Sequence, residues 1–390
     1  MSTVASFTIE KTQILDEKGD AVAPLPDFAR DPEALVAMYR AMVLTRTFDA
    51  KAVAMQRTGK LGTFASSLGQ EAVGVGLAAA MRPEDILVPS YREQAAQFLR
   101  GMTMTHCLLY WGGDERGSDF QAMPAKQDFP NCVPIGTQVP HAVGVAYAFK
   151  LRKEARAVVT VFGDGGTSKG DFYEGANFAG VWNLPLVMVV NNNQWAISLP
   201  RSRQSAAQTL AQKAIAAGFE GRQVDGNDVI AVRHVVAEAL EKARTGGGPT
   251  LVEAVCYRLC DHTTADDATR YRDAESVNAA WKVEPIARLR DYMARQGIWN
   301  KEREEALARE CADEVAKAVD AYQATPPAPP EHMFDYLYAT LPNALKEQRA
   351  QAIRLGTGHS SKPDVPCPPN PGHNSKPDVP CPPNPGPNHG

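Results

Sequence analysis

Three polar clusters in this sequence carry residue types that do chemistry. They are Gly163-Asp164-Gly165-Gly166-Thr167-Ser168, Asn191-Asn192-Asn193-Gln194-Trp195 and Asp261-His262-Thr263-Thr264-Ala265-Asp266-Asp267. A carboxylate at a strand end, followed by glycines and then a helix, suits a hard divalent cation shared with a diphosphate. Glycines let backbone N–H groups approach phosphate oxygens, and a helix N-terminus favours negative charge. Asn193 can add a neutral oxygen and the backbone carbonyl near Trp195 a third, a set that suits Mg²⁺. Taken alone, Gly-Asp-Gly-Gly reads more readily as a tight strand-to-helix turn. The segment GDGGTSKG, Gly163 to Gly170, is neither GxGxxG nor GxxxxGK[ST]. That counts against a dinucleotide fold and against a P-loop. His262 is the titratable group of most interest, because a near-neutral imidazole can shuttle a proton. A lone loop histidine is more often a solvent-exposed bystander.

These clusters need a frame, and the periodicity supplies one. Ala157-Val-Val-Thr-Val-Phe162 and Leu186-Val-Met-Val-Val190 are short apolar runs, as expected of strands buried on both faces. Arg222 to Asp225 and Thr250 to Tyr257 read as two further strands. Helices are expected over Asp171 to Val181, Ala206 to Ala217 and Val229 to Arg244. The β-α-β-α-β-α-β alternation predicts an α/β fold, a mostly parallel sheet with helices on both faces. Two amphipathic helices within Ala279 to Ala324 form a helical C-terminal extension. Earlier, Asp31-Pro32-Glu33 is a good helix start, and Gln70 to Met81 and Tyr91 to Arg100 look helical. His141, just after Pro140, reads as a packing residue. In an open parallel sheet ligands bind outside the carboxyl ends of the strands, where all three clusters fall.

Composition excludes other classes. The 390 residues are 44% hydrophobic and 22% charged, with a formal charge of −4. That leaves no basic excess for nucleic acid. Met1 to Asp20 lacks a signal-peptide pattern. The longest apolar stretch, Ala72 to Met81, is too short to span a bilayer. Seven scattered cysteines have no zinc spacing, so a cytoplasmic, reduced protein is expected. Residues 1–30 read as an arm or hairpin, 31–355 as the folded body and 356–390 as a disordered tail. In that tail Ser361–Gly372, SKPDVPCPPNPG, recurs letter for letter at Ser375–Gly386.

The spacing between clusters sharpens the reading. Gly163-Asp164-Gly165 followed by Asn192-Asn193, with Asn193 29 positions after Asp164, resembles the thiamine diphosphate motif. GDGGTSKGDFYEGANFAG, VPSYREQ, IGTQVPHAVG, AISLP and HTTADDATRYR together resemble the α subunit of the decarboxylating component of 2-oxo-acid dehydrogenase complexes. The resemblance covers roughly residues 30 to 350 and implies a thiamine diphosphate-binding fold. It implies Mg²⁺ at Asp164, Asn193 and the Trp195 carbonyl, and Gly165 and Gly166 N–H groups on the diphosphate. Tyr91 and Arg92 match residues that reach the phosphates, and backbone groups of Val133 and Ile135 would meet the aminopyrimidine. His262 matches a histidine that helps bind the cofactor and transfer the acyl group. The implied partners are a β subunit in an α₂β₂ heterotetramer, the lipoyl domain of the core dihydrolipoyl acyltransferase, and a 2-oxo acid.

For the acid, two features compete. Phe64-Ala65-Ser66-Ser67 lacks the histidine of some pyruvate-specific members, and Asp266-Asp267-Ala268-Thr269 has the shorter spacing of branched-chain enzymes. GDGGTSKGDFYEGANFAG and Ala211 to Gly226 look closest to bacterial pyruvate enzymes, which favours pyruvate. Two rivals are a nicotinamide dehydrogenase, which needs a GxGxxG that is missing, and a non-catalytic binding subunit. The latter would have no need of Asp164, Asn193 and His262 together.

Overall fold

The computed structural model describes residues 1–335 and 337–356; the repeat tail lies outside the described residues. They fall into two units, residues 1–327 and those from 328 on. In chain order the strands are β1 (Lys11–Thr12), β2 (Ile86–Val88), β3 (Val158–Gly163), β4 (Leu186–Asn192), β5 (Trp195–Ala196), β6 (Leu199–Pro200), β7 (Glu220–Asp225) and β8 (Thr250–Val255). β5 and β6 form a small antiparallel pair. The other six make one sheet in the order β1-β7-β8-β4-β3-β2, every pairing parallel.

The helices of the first unit are α1 (Pro32–Arg57), α2 (Glu71–Ala80), α3 (Gln94–Leu99), α4 (Met104–Trp111), α5 (Gln138–Arg152), α6 (Gly170–Val181), α7 (Arg201–Gln204), α8 (Lys213–Ala216), α9 (Val229–Arg244), α10 (Ala274–Trp281), α11 (Pro285–Arg295) and α12 (Lys301–Ala324). Successive strand side chains point to opposite faces, and the apolar runs use both. Val159, Val161, Val187, Val189, Val252 and Ala254 pack in one core with α1, α2 and α9. Val158, Phe162, Leu186, Met188, Val190 and Leu251 pack in a second core with α5 and α6. The expected two-faced α/β architecture is present, with α11 and α12 as its helical extension.

Local chemistry sets several boundaries. Asp31 Oδ1 accepts from Glu33 N at 3.0 Å, capping α1. Asp228 caps α9 through Ile230 N and Ala231 N, at 3.0 and 3.1 Å. Its other oxygen accepts from Ile14 N and Leu15 N, tying the N-terminal arm to the sheet. α2 lies close on α9 because Gly76 has no side chain; a Cβ there would come within 2.7 Å of Val232 Cγ1.

Two expected helices come out shorter. The one expected from Tyr91 begins at Gln94, leaving Tyr91 and Arg92 in the loop before it. The one expected over Ala206 to Ala217 shrinks to α8. There Leu210 N and Ala211 N donate to buried Glu253 on β8, at 2.8 and 3.1 Å, instead of to helix carbonyls. Tertiary bonding outweighs local propensity at that point. β1 and β2 are two and three residues long, too short to show a period. In the second unit, α13 (His332–Asp335) and α14 (Asn343–Gly356) are linked by Arg349 Nε donating to Asp335 Oδ1 at 3.2 Å. Among the described residues no helix is long and apolar enough to cross a membrane.

Candidate active site

β3 and β4 are paired from Val158 with Leu186 to Gly163 with Asn191. Their carboxyl ends therefore deliver Asp164 and Asn193 to one place, the wall of a cavity of about 500 Å³. Tyr91, Arg92, Val133, Ile135, Asp164, Gly165, Gly166, Asn193, Trp195 and His262 all line it. The ten residues expected to bind cofactor and metal thus line one cavity.

The chain leaves β3 through one 3₁₀ turn, Asp164–Ser168, before α6. A Cβ on Gly165 would come within 2.9 Å of Ala196 Cβ, and one on Gly166 within 3.0 Å of the Phe162 ring. Glycine at both positions lets the turn sit tight against β3 and the β5–β6 pair. Asp164 is 1% exposed, and neither carboxylate oxygen has a hydrogen-bond partner. Burial pushes its carboxyl up to about 6, against the N–H dipole of its own residue and the charges of Arg258 and Arg201. A buried carboxylate with only poorly aligned N–H groups of Asp164 and Gly165 near it is costly, and a cation would relieve it.

Asn193 Nδ2 donates to Gln70 Oε1 at 3.0 Å, and its Oδ1 accepts from Trp195 N at 3.1 Å. A carbonyl oxygen has two lone pairs, so Oδ1 retains a second. With Asp164 and the Trp195 carbonyl, this is an all-oxygen set fitted to a hard cation. Among the described residues no group of three or more His, Cys, Asp or Glu forms a softer metal site. The Trp195 carbonyl also accepts from Arg258 Nη1 at 3.4 Å.

Two buried guanidiniums flank this set. Arg92 donates to the Ser66 carbonyl at 2.7 Å and to the His262 carbonyl. Arg258 donates to the Ile197 carbonyl at 2.8 Å and to the Tyr271 hydroxyl at 2.9 Å. Ile197 has φ +56°, a strained value for a β-branched residue, and Arg258 holds it there. Among the described residues neither arginine has a carboxylate partner. The cavity thus has two guanidiniums without a carboxylate ion pair on one side and, on the other, a carboxylate whose oxygens lack a hydrogen-bond partner and feel Arg258 and Arg201 only at a distance.

His262 sits between these arginines. Its Nδ1 lies 2.8 Å from Arg92 Nη2 and 3.4 Å from Arg258 Nη1. Guanidinium groups only donate, so Nδ1 accepts and the ring proton is on Nε2. Burial, then Arg92, then Arg258 lower its pKa to about 4. This departs from the near-neutral imidazole expected of the sequence: the ring is a neutral Nε2–H donor. His262 N donates to Asp266 Oδ2 at 3.0 Å, and the Tyr271 hydroxyl donates to the same oxygen.

The loop carrying Val133 and Ile135 is fixed through its backbone. Gln138 Oε1 accepts from Gly136 N at 3.1 Å while its Nε2 donates to the Cys132 carbonyl at 2.5 Å. The 64–67 segment is held from beneath by Asp49, which accepts from Ser66 Oγ at 2.8 Å and Ser67 Oγ at 2.9 Å. Only Ala65 of that segment lines the cavity. His141, read as a packing residue, is exposed and rests on the Phe129 ring, centroids 5.9 Å apart.

Gln70, Glu93, Trp111 and Arg258 also line the cavity and were not singled out as site residues. Glu93 accepts from Arg92 N at 3.0 Å, and burial raises its carboxyl to about 7. Arg258 had the clearest sequence signal, a charge immediately after the last strand.

Comparison with known proteins shows the family. The sequence pattern of the family described as dehydrogenase E1 component matches residues 39–331. The 3-methyl-2-oxobutanoate dehydrogenase subunit alpha of Mycobacterium tuberculosis is 42% identical over 89% of this chain and 94% of its own. The pyruvate dehydrogenase E1 component subunit alpha of Acholeplasma laidlawii is 41% identical over 85% of this chain and 96% of its own. The corresponding Bacillus subtilis subunit is 38% identical over 86% and 90%. With all ten expected residues around one cavity and these relatives spanning nearly the whole folded chain, this chain belongs to the dehydrogenase E1 component family, among the α subunits of the thiamine diphosphate-dependent 2-oxo-acid dehydrogenases.

Proposed function

We propose that this subunit, with a β subunit in an α₂β₂ heterotetramer, decarboxylates pyruvate oxidatively and transfers the acyl unit to a lipoyl domain. The carrying observation is Asp164, buried with both oxygens unpartnered, in a cavity also lined by two buried arginines that form no carboxylate ion pair among the described residues. Asp164, Asn193 Oδ1 and the Trp195 carbonyl would hold Mg²⁺. Gly165 and Gly166 N–H groups, Tyr91 and Arg92 would hold the diphosphate, and backbone groups of Val133 and Ile135 the aminopyrimidine. Thiamine diphosphate, when bound, supplies the nucleophile and electron sink for decarboxylation. His262, with its proton on Nε2 and Nδ1 fixed by Arg92, presents one donor. As a neutral ring it donates only a hydrogen bond; protonation of a lipoyl sulfur needs the imidazolium, which returns to neutral imidazole when the proton leaves. Charge on the diphosphate would offset Arg92 and raise the histidine pKa from its low value, so that this imidazolium is populated.

A β subunit fits this reading because thiamine enzymes use a carboxylate on a separate pyrimidine-binding domain, and the described residues hold one α/β unit, the kind that carries the diphosphate. An exposed apolar face on α5 and α6, with Leu151, Phe178, Val181 and Trp182, supports a protein partner. Branched-chain 2-oxo acids are the second reading, favoured by the Mycobacterium tuberculosis relative and by the spacing at 266–269. The test compares the isolated chain with the co-expressed α/β complex. Decarboxylation should appear only in the complex, with kcat/KM higher for pyruvate than for 3-methyl-2-oxobutanoate. Robust turnover by the isolated chain overturns the heterotetramer. A reversed preference overturns pyruvate.

A further inference from the structure

Behind the 164–168 turn, on the side away from the cavity, lies a buried lysine. Lys213 is 8% exposed, at the start of α8. Its Nζ donates to the Thr167 carbonyl at 2.7 Å and to Thr167 Oγ1 at 3.0 Å. Thr167 Oγ1 donates onward to the Asp164 carbonyl at 2.8 Å. The remaining surroundings are aromatic: Nζ lies 5.3 Å from the Tyr173 centroid and 6.0 Å from that of Phe172. Among the described residues no carboxylate pairs with this ammonium. Gln204, from α7, donates to the Gly165 carbonyl at 3.4 Å and to Ser168 Oγ at 2.5 Å. Side chains from the 201–213 segment therefore engage the carbonyl side of the turn.

A buried ammonium without a counter-anion is expensive, and carbonyl and aromatic contacts compensate it only in part. Replacing such a group by an apolar one of similar length often leaves a protein as stable or more so. A lysine kept there against its own cost needs an anion that the free protein does not supply. The turn it grips is the one whose glycines line the cavity.

We propose that Lys213 is a positioning residue for the diphosphate: it clamps the carbonyl side of the 164–168 turn and supplies the buried positive charge that the anion completes. It does not line the cavity and acts through Thr167. The inference rests on the reading that a diphosphate binds at this turn.

The test uses the co-expressed α/β complex, wild type and Lys213→Met, stripped of cofactor. Binding of thiamine diphosphate with Mg²⁺ is followed by tryptophan fluorescence, and inorganic diphosphate is titrated as a competitor that reads the anion half alone. Lys213→Met should weaken both by a similar factor, about tenfold, while the melting temperature of the stripped complex stays level or rises. Lys213→Arg should keep most of the affinity. A Lys213→Met complex with unchanged affinity for both overturns the inference. So does one that melts lower, or fails to fold together with Lys213→Gln, because the lysine is then a scaffold contact. If inorganic diphosphate fails to compete and Asp164→Ala still binds thiamine diphosphate, the site reading itself is wrong, and the inference falls with it.

Discussion

The strand-end turn at 163–168 and the histidine loop at 258–272 face the same cavity but are held in opposite ways. The turn is anchored by the sheet: β3 runs into it in register with β4, and Gly165 and Gly166 fit against Ala196 and Phe162 with no room for a Cβ. The loop lies beyond the end of β8 and meets other segments through three backbone bonds, Arg258 N to the Asn193 carbonyl, Leu259 N to that of Leu68 and Thr264 N to that of Phe64. The rest of its hold comes from side chains: Asp266 on His262 N, the Tyr271 hydroxyl on Asp266, Arg258 on Tyr271, and Thr264 Oγ1 accepting from Phe64 N at 3.0 Å. A backbone-built site tolerates surface change but fails when its one charged ligand is lost. A side-chain-built site degrades by degrees.

The largest effect therefore belongs to the turn. Asp164→Ala removes the only charged ligand of the proposed Mg²⁺ set, leaving neutral oxygens against a diphosphate. The loss of thiamine diphosphate affinity should exceed about 100-fold, the upper range for changes one shell further out. Calorimetric titration with Mg²⁺ present measures it, and near-native affinity would remove Asp164 from the site. Asp164→Asn gives the opposite readout on stability. The folded pKa of about 6 lies above the ordinary carboxyl value of 3.8, so the folded state binds more protons within that window. Stability from this group is present below the lower value and is lost as pH rises through the higher one. The stripped Asp164→Asn protein should melt higher than wild type at pH 7, and the gap should close below pH 4. A lower melting temperature at pH 7 would mean that unseen partners satisfy the carboxylate.

The histidine comes next. His262→Ala should reduce lipoyl acylation by about 10²- to 10⁴-fold, the range for general acid help. Decarboxylation read with an artificial electron acceptor should fall much less, provided cofactor and Mg²⁺ are saturating. Equal losses would mean that the ring orders the site and does not move a proton. The pH dependence of the stripped loop has a fixed sign. A folded pKa of about 4, below the ordinary imidazole value of 6.5, means that the unfolded chain binds more protons between those values. The contribution to stability is present above the higher value and is lost as pH falls towards the lower. Proteolysis within 261–272 should therefore speed up on going from pH 7 to pH 5 in wild type, and less so in His262→Ala.

The same contrast explains what the sequence disclosed. The strands ahead of the turn are apolar on both faces, so β3, β4 and their polar ends stand out, and Asp164, Asn193 and the two glycines follow. The α9 boundaries, Val229 and Arg244, also come out as read, because Asp228 caps one end and glycines close the other. The charge state of His262 was not legible, since it is set by burial in the folded cavity and then by Arg92, 170 positions away. Lys213 was hidden for the same reason: the expected helix over 206–217 is overridden by Glu253, and only the fold puts Nζ behind Thr167. Gln70 and Trp111 look like ordinary helix-edge residues until the cavity is seen.

The smallest effect should come from Tyr271→Phe, which tests whether the loop depends on its network. The hydroxyl donates to Asp266 and accepts from Arg258 at 2.9 Å. A hydrogen bond to a charged group is worth about 1.5–3 kcal/mol when buried, and this tyrosine is only partly buried, so the cost falls below that range. Asp266 keeps His262 N as a donor, and Arg258 keeps the Ile197 carbonyl. The loop should therefore loosen without collapsing, weakening thiamine diphosphate binding about three- to tenfold. Combined with Asp164→Asn, the two effects on melting temperature should add, because the turn and the loop share no direct hydrogen bond among the described residues. Marked non-additivity would show that Arg258, which touches both the Trp195 carbonyl and Tyr271, couples the metal end of the cavity to the histidine end. The two regions would then respond as one.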